Sequence, residues 1–393
     1  MIAYGIGTAL SCALAAWMQR KDARTPGGIS AKRRWFEIVC CAIPLWLLSA
    51  LRWGVGTDFF YTYLPEFRAL QWLRSGGGET LCRELFAPLE ELLALWGLPS
   101  APEEALPFFL GVLSNCEAGY RALMEAAIAL GGNFRLVIIA TSSIISVCVF
   151  YAIFTQTSDP TLAIYLYVTT SNYFLGMNII RQYVAVGIGL AALRFVREQK
   201  LLPFLVCVAA AALFHTTALL LLPCYFLCRV RWKPYQGQLL LATVLAGSGL
   251  LGTAAAWLLP RIGLAYYARY LGTAWDTGRF EMLFFLIDLG ILLLGGVYWE
   301  KASRKNAYYG IWYNMLLLGA LALALSGELP LMKRVSYYYT APQFLLLPEA
   351  LNAEEDPARR KWLKIAVAVF FGIEVLIAVG VFNKNGVLPY RIR

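Results

Sequence analysis

The chain has 393 residues, of which 60% are hydrophobic and 15% charged, with a mean hydropathy of +0.61 and a formal net charge of +10. A water-soluble protein of this length cannot cover so much apolar surface in one core. The apolar residues also lie in blocks of about 15–22 residues, the length needed to cross roughly 30 Å of hydrocarbon. The composition therefore predicts an all-α polytopic membrane protein. The positive-inside rule together with an anionic ligand explains the basic charge better than nucleic acid does.

Apolar segments in chain order predict about 12 transmembrane helices within a single membrane domain, residues 1–393. They lie near residues 2–18, 36–51, 135–154, 161–179, 183–197, 201–214, 216–228, 238–258, 282–299, 307–326, 335–350 and 363–382. No charged segment precedes the first, so we expect a span there and not a cleaved signal peptide. The basic linker "QRKDARTPGGISAKRR" should face the cytoplasm. Alternation then places both chain ends outside.

The basic residues differ in type between the two predicted sides. Of the 34 Lys and Arg residues, 19 fall inside and 15 outside, and Lys333 and Lys384 are the only lysines of the outer set. Topology signals use both residues alike, whereas the planar arginine fork suits phosphate and carboxylate. The bias predicts an anion-binding outer face. The alternative is pairing with outer acids such as Glu66, which applies best to Arg68, Arg74 and Arg83.

Two long segments fall on the predicted outer side. Residues 52–134 are too many for a simple connector, and "TLCRELFAPLEELLALWGL" and "NCEAGYRALMEAAIAL" within them have the apolar spacing of amphipathic interfacial helices. Residues 259–281 contain "RIGLAYYARYLGTAWDTGRF", in which arginines alternate with aromatic rings. These arginines are Arg261, Arg269 and Arg279.

The stretch "RWGVGTD" places Arg52 and Asp58 where the second predicted span ends. The two glycines around Val55 let the backbone turn tightly at the interface. A half-desolvated carboxylate there has a raised pKa and suits a general base. The alternative is a helix cap, in which Asp58 or Thr57 accepts hydrogen bonds from the free amides of the helix that follows.

Polar groups also stand at the predicted outer ends of later spans. "NIIRQYVAVGIGLAAL" carries Arg181 and Gln182, and no acidic residue adjoins Arg181 in the sequence. A buried arginine without a carboxylate needs another anion, and a ligand phosphate would serve. "MKRVSYYYT" places Arg334 beside rings that include Tyr337, a combination that suits a glycan carrying phosphate. The alternative for the tyrosines is the interfacial aromatic belt.

His215 is the single histidine and lies in the apolar stretch "ALFHTTALLLLP". Such a residue is often a structural hydrogen-bonding group. Ionisable residues at membrane depth are costly, however, and tend to mark function. A neutral imidazole near pH 7 could accept a proton from a sugar hydroxyl.

Several motifs of other enzyme classes are missing from the sequence. There is no Walker A motif, no GxGxxG that follows a strand, no HExxH and no DxD-type metal pair. The nine cysteines form no CxxC motif and no Cys/His cluster. We therefore predict no metal site, no cofactor and no disulfide framework.

Six pieces of the sequence, taken in order, resemble the EpsG family of Wzy-like polysaccharide polymerases. They are "RWGVGTDFFYTY", "EAGYRALMEAAIALGGNF", "NIIRQYVAVGIGLAAL", "FHTTALLLLPCYFL", "RVSYYYTAPQFLLLP" and "NGVLPYR". Together they span nearly the whole chain. The stretch before "EAGY" is longer than is usual in the family and carries an extra amphipathic helix.

The resemblance implies a GT-C-like glycosyltransferase fold and a polymerase at the outer face of the bacterial cytoplasmic membrane. Donor and acceptor would both be oligosaccharides linked to undecaprenyl diphosphate. A hydroxyl of the acceptor attacks the anomeric carbon of the donor, and lipid diphosphate leaves. Further partners would be a chain-length regulator and a flippase.

This chemistry needs a base for the hydroxyl and positive charge for the leaving diphosphate. We assign Asp58 as the base, with His215 as the alternative. The candidate diphosphate ligands are Arg52, Arg181, Arg261, Arg269, Arg279 and Arg334. The candidate sugar ligands are Glu117, Tyr120, Gln182 and Tyr337.

Three other functions compete with polymerisation. A transporter or flippase of lipid-linked glycans would use the same arginines without a base, although we see no inverted repeat. A glycan O-acyltransferase would use His215 but needs access to a cytosolic acyl donor. A non-catalytic scaffold does not explain the outer arginines.

Overall fold

A computed structural model of the chain describes residues 1–22, 30–87, 102–230, 232–258, 261, 280–329 and 331–392. These residues are mostly helical and form no strand; a single antiparallel bridge joins Arg52 to Ile392. The prediction of an all-α protein is confirmed.

Twenty α-helices, numbered here in chain order, are formed by the described residues. The first ten are α1 Ile2–Asp22, α2 Ala31–Leu51, α3 Leu64–Arg74, α4 Glu79–Phe86, α5 Pro102–Ser114, α6 Ala118–Ala129, α7 Phe134–Gln156, α8 Pro160–Thr169, α9 Asn172–Asn178 and α10 Ile180–Arg197. The others are α11 Leu201–Ala212, α12 Cys224–Leu227, α13 Pro234–Ala246, α14 Ser248–Leu258, α15 Met282–Val297, α16 Trp299–Lys305, α17 Tyr309–Ala324, α18 Met332–Thr340, α19 Gln343–Asn352 and α20 Pro357–Val375. Short π-helical turns cover Phe59–Tyr63 and Leu376–Val381, and short 3₁₀ turns cover Thr216–Leu221 and Lys384–Gly386.

Several helices begin at side chains that satisfy their free amides. Ser30 accepts a hydrogen bond at the start of α2, Asn133 at the start of α7 and Asp159 at the start of α8. Asp356 does the same for α20, where it accepts from two backbone N–H groups. Short polar side chains at these positions stabilise a helix end by about 1 kcal/mol each, which explains where these helices start.

Four helices are long and apolar enough to cross a membrane, and two bent helix pairs raise that number to six. The four are α1, α2, α7 and α20 with its extension to Val381; the bent pairs are α13 with α14 and α15 with α16. Large apolar side chains are exposed on most of these helices, for example Leu10, Leu239 and Leu283. Hydrocarbon is the solvent that suits such a surface, so the chain is a membrane protein.

The prediction of about 12 spans is not confirmed, because several apolar segments are divided between short helices. The predicted span 161–179 is split into α8 and α9 at Ser171, whose φ is 62°. The predicted span 335–350 is likewise split into α18 and α19. Apolar composition reports burial in protein or in lipid, and it does not distinguish a continuous span from two short buried helices.

The described residues form two apolar cores. The larger one joins α1 and α2 to the helices from α7 onward, through pairs such as α2 with α7, α10 with α11 and α17 with α18. The smaller one is formed by residues between 59 and 138 together with Ile180, and includes Phe67, Phe86, Phe109 and Tyr120. The segment 52–134 is thus a packed helical unit. Of the first predicted amphipathic helix, only α4 lies within the described residues.

The C-terminal tail packs against the loop that follows α2. The Trp53 N–H donates to the Arg391 carbonyl (2.9 Å), and the Gly56 N–H donates to the Gly386 carbonyl (2.9 Å). These contacts join residues more than three hundred positions apart in the sequence. They hold the backbone in place immediately before Asp58.

Gly56 is required where this loop passes the break between α9 and α10. Its φ is +100°, and an added Cβ would lie 2.7 Å from the Met177 carbonyl oxygen. We expect Gly56→Ala to destabilise the protein by about 1–3 kcal/mol, since it combines strained backbone with a steric clash. Gly5→Ala is the matched control, because Gly5 lies in α1 with no atom near its would-be Cβ. Melting temperatures in detergent test this, and equal values for the two variants would contradict it.

Candidate functional site

Asp58 lies at the start of the π-helical turn Phe59–Tyr63, and its side chain makes no capping hydrogen bond. Its backbone N–H donates to Asn178 Oδ1 (2.9 Å), and the Thr57 hydroxyl donates to the same oxygen (2.8 Å). Asn178 is the last residue of α9, where the chain breaks before α10. The Asp58 carboxylate is therefore free of the capping role that the sequence left open, and Asn178 fixes its backbone.

The environment of Asp58 favours a proton-accepting carboxyl group. The side chain is half-buried, and burial raises its pKa above the usual value. The positive charges of Arg334 and Arg181 act in the opposite direction. A carboxylate with a raised pKa that keeps cationic neighbours is a stronger base than an exposed one and still ionises.

Arg181, at the start of α10, makes two ion pairs. Its guanidinium lies 3.1 Å from Glu117 Oε2 and 3.4 Å from Glu66 Oε1. It also lies 5.6 Å from the ring centres of both Tyr63 and Tyr120. The expectation that Arg181 lacks an acidic partner is wrong, because its carboxylates come from α3 and from the start of α6, which are remote in sequence.

Glu117 joins Arg181 to His215. The Glu117 Oε1 atom lies 2.8 Å from His215 Nδ1 and also accepts the Thr216 N–H at 3.3 Å. Burial raises the pKa of Glu117, but the hydrogen bond from His215 and the charge of Arg181 outweigh it and leave the pKa below its usual value. A carboxylate only accepts, so the imidazole carries a proton on Nδ1, and Nε2 is the acceptor in the neutral form of the ring.

Gly119 allows α6 to approach the turn that carries His215. Its N–H donates to the Leu213 carbonyl (2.8 Å), and an added Cβ would lie 2.8 Å from the same oxygen. The glycine of "EAGY" therefore serves the contact between Glu117 and His215. The short 3₁₀ turn after His215 then carries the chain away from the site.

Glu66 completes the charge cluster, although sequence reasoning considered it only as a partner for outer arginines. It is fully buried, and neither carboxyl oxygen accepts a hydrogen bond from any residue that the structure describes. Burial raises its pKa to about 7, opposed by Arg181 and supported by the negative charges of Glu117 and Asp58. One sequence feature could have identified Glu66 as a site residue. It lies in the first turn of α3, eight residues after Asp58 and next to Pro65.

The raised pKa of Glu66 predicts a specific pH dependence of stability. The folded state binds the Glu66 proton more tightly than the unfolded state, whose carboxyl titrates near 4.5. Glu66 therefore favours folding most at low pH, and this contribution is lost as pH rises from about 4.5 to about 7. We expect Glu66→Gln to reduce the fall in melting temperature between pH 5 and pH 8. Glu125→Gln, on the partly exposed Glu125, should leave that fall unchanged.

Arg52 has a supporting position and does not line the site. It is 1% exposed, and its guanidinium donates to the carbonyls of Ser49 and Met177 and to the Ser142 hydroxyl. These bonds connect the end of α2 to α7 and to the end of α9. The two terminal nitrogens of the guanidinium are thereby bonded to protein oxygens, so Arg52 supports the fold here, and its assignment as a diphosphate ligand stays a prediction.

The other candidate residues fall at several places. Gln182 Nε2 donates to the Arg334 carbonyl (2.6 Å), and this hydrogen bond joins α10 to α18. The Arg334 side chain is exposed and makes no ion pair in the described part of the chain. The Tyr120 hydroxyl is buried and has no hydrogen-bond partner within the described ranges. Tyr337 lines a separate cavity, and Arg261 packs over the Trp257 ring at 4.0 Å. Arg269 and Arg279 lie outside the described residues, as does most of the loop 259–281.

The described residues contain no group of three or more His, Cys, Asp and Glu side chains arranged to hold a metal ion. The cysteines that lie in the described ranges are all free thiols. What the fold brings together is two carboxyl groups, an arginine and an oriented histidine, with Asp58 and Arg334 nearby.

The fold and the site together define the class of protein. It is a helical membrane protein with a buried cluster of acids, an arginine and a histidine. The EpsG family matches residues 35–392, nearly the whole chain, and the protein belongs to that family. EpsG proteins are polysaccharide polymerases, which suggests a glycosyltransferase activity. Neither a curated protein nor a solved structure matches the chain.

Proposed function

We propose that the protein is a glycosyltransferase that joins undecaprenyl-diphosphate-linked oligosaccharide repeat units into exopolysaccharide, capsule or O-antigen. The observation that carries this proposal is the convergence of charged groups from α3, α6, α10 and α18 and from the turns at residues 58 and 215. EpsG membership supplies the reaction class. The cluster supplies groups that this reaction needs, namely proton acceptors and cations.

Asp58 is the proposed base. It takes the proton from the attacking hydroxyl of the acceptor while that oxygen forms the new bond to the anomeric carbon. The bond from this carbon to the diphosphate breaks, and the lipid diphosphate leaves with the electron pair. The raised pKa of Asp58 supports this role because a base is most effective when its pKa approaches the working pH.

Arg334 is the proposed counter-charge for the leaving diphosphate. It is exposed, has no ion pair among the described residues, and its charge acts on Asp58. Arg181 already has two carboxylate partners, so its main effect on the site is to hold Glu66 and Glu117. Cations near developing negative charge lower the barrier most when they are fixed in advance.

The pair of His215 and Glu117 favours a second candidate for the base. A carboxylate bound at Nδ1 orients the ring and leaves Nε2 to accept a proton. Because Glu117 is engaged by three donors, we infer that it orients His215 and does not itself contact sugar.

The remaining features of the proposal concern its setting. We propose a GT-C-like fold with about 12 membrane segments, several of them broken, in the bacterial cytoplasmic membrane with the site on the extracytoplasmic side. The basic linker between α1 and α2 supports this orientation. A flippase that delivers the repeat units and a chain-length regulator are the expected partners.

One experiment tests the reaction directly. The purified protein is incubated with a lipid-diphosphate-linked oligosaccharide, and the products are resolved for a ladder of longer glycans and for free lipid diphosphate. We expect both products, and equal rates with and without EDTA because the proposed charges come from arginine. Translocation of the lipid in liposomes without any ladder would instead identify a flippase.

A further inference from the structure

A cavity of about 50 Å³, with a mixed apolar and polar lining, lies beside the Asp58 loop and takes no part in the chemistry proposed above. Residues from α9, α15, α17, α18, α19 and α20 and from the 3₁₀ turn Lys384–Gly386 line it. Its walls include amides and hydroxyls from Asn172, Gln343 and Ser336. Two lysines, Lys333 and Lys384, face the same space.

These two lysines share one aromatic ring. Lys384 Nζ lies 3.5 Å and Lys333 Nζ 4.6 Å from the ring centre of Phe284. They are also the only two lysines on the predicted outer side of the membrane. The fold therefore brings together two cations that lie 51 positions apart in sequence, at the cost of their mutual repulsion.

The charges around Lys384 leave it without a close counter-ion. Lys333 is paired with Glu281 (2.6 Å), whereas Lys384 makes no ion pair within the described residues. Burial and the charge of Lys333 lower the pKa of Lys384 to about 8, and the more distant carboxylates of Glu374 and Glu281 offset this only in part. Asp288 and Tyr337 are the other titratable groups on the cavity wall.

The cavity is connected to the backbone of Asp58 through two asparagines. Asn385 lines it and lies 3.5 Å from Asn178 Nδ2, while Asn178 Oδ1 accepts the Asp58 N–H. The neighbouring residues Lys333 and Arg334 direct their charges to the cavity and to Asp58, respectively. Different cations thus serve Asp58 and the neighbouring cavity.

We propose that this cavity is a second anion-binding site. It binds the diphosphate of one lipid-linked glycan, while Arg334 binds the diphosphate of the other lipid-linked glycan. The inference rests on the proposed function, because a polymerase of this kind must hold two lipid diphosphates at once. An ammonium group that lacks a counter-ion is strongly stabilised when it donates a charge-assisted hydrogen bond to a phosphate oxygen. The amides and hydroxyls of the wall supply further donors.

The experiment measures binding without catalysis. The full-length protein in nanodiscs is titrated with farnesyl diphosphate, inorganic diphosphate and farnesol. We expect Lys384→Gln to weaken farnesyl diphosphate binding about tenfold, the loss of one charge-assisted contact. Lys301→Gln, which removes an exposed lysine paired with Glu355, is the matched control and should bind as the wild type does. Unchanged affinity in Lys384→Gln would overturn the proposal.

Lys384→Arg gives a second readout that a structural role would not produce. Wild-type binding should weaken as pH rises above about 8, because Lys384 then loses its proton. Arginine keeps its charge, so the variant should bind across the same range without this fall. A fall of the same size in both would overturn the assignment to Lys384. Inorganic diphosphate binding as tightly as farnesyl diphosphate would overturn the lipid assignment.

The polymerisation assay separates this inference from the proposed function. Glycan ladders together with lysine-independent binding would refute the second site alone. Lysine-dependent binding without ladders would retain the site and refute polymerisation. Retained melting temperature in each variant confirms that it is folded.

Discussion

Asp58→Asn should reduce glycan polymerisation by about 10²–10⁴-fold, because the amide removes the proposed proton acceptor and keeps the size of the side chain. The fold should persist, since the contacts of this residue to Asn178 are made by its backbone N–H and by Thr57. The measurement is the initial rate of ladder formation from a lipid-diphosphate-linked oligosaccharide. Glu125→Gln, which changes a carboxyl group outside the cluster, is the matched control and should leave the rate unchanged.

The same assay distinguishes the two candidate bases. If Asp58 is the base, the wild-type rate falls as pH drops through its raised pKa, and His215→Gln retains part of the activity. If His215 is the base, the order of the two defects reverses, with His215→Gln as the more severe variant. Near-wild-type polymerisation by Asp58→Asn would exclude Asp58 as the base.

Arg181→Gln is expected to destabilise the protein by about 3–5 kcal/mol, the usual cost of removing one member of a buried ion pair. The change leaves Glu66 and Glu117 facing each other with no cation between them. The cost should be smaller at pH 5 than at pH 8, because the Glu66 carboxyl, with a pKa near 7, can then take up a proton. Unfolding in detergent at both pH values measures the difference.

Arg74→Gln is the matched control for that prediction. Arg74 pairs with Glu125 at 2.8 Å, but its side chain is 56% exposed, and exposed pairs contribute less than about 1 kcal/mol. Glu66→Gln combined with Arg181→Gln should recover part of the lost stability, since the double change removes the unpaired charge. Equal costs for Arg181→Gln and Arg74→Gln would show that the cluster is not an energetically coupled unit.

The outer arginines show which ion pairs can be predicted from the sequence and which cannot. The sequence predicted an anion-binding outer face and left pairing with outer acids as the alternative for Arg68, Arg74 and Arg83; Arg74 does pair with an acid, Glu125 of α6. It also indicated that Arg181 has no acidic neighbour, which holds for adjacent positions only. The partners of Arg181 come from two helices that fold over it, a fact that local spacing cannot report.

The transmembrane segments were also only partly predictable from the sequence. The spans near α1, α2 and α7 follow from apolar length, because a continuous helix of about 20 residues satisfies its own backbone hydrogen bonds in lipid. Several apolar segments between α7 and α20 are instead broken at points such as Ser171. Breaks of this kind depend on neighbouring helices and polar groups that satisfy the freed backbone, and these become known only with the tertiary structure.

The sequence by itself determined that the protein is helical, that it belongs in a membrane and that it resembles EpsG proteins, because composition, apolar run length and ordered motifs are local properties of the chain. It also indicated Asp58, Arg181 and His215 as candidates. The tertiary structure decided that Glu66 and Glu117 surround Arg181, that Arg52 serves as a support and that Lys333 and Lys384 share a cavity. Charge interactions depend on distance and burial in space, and neither quantity can be read from positions along the sequence.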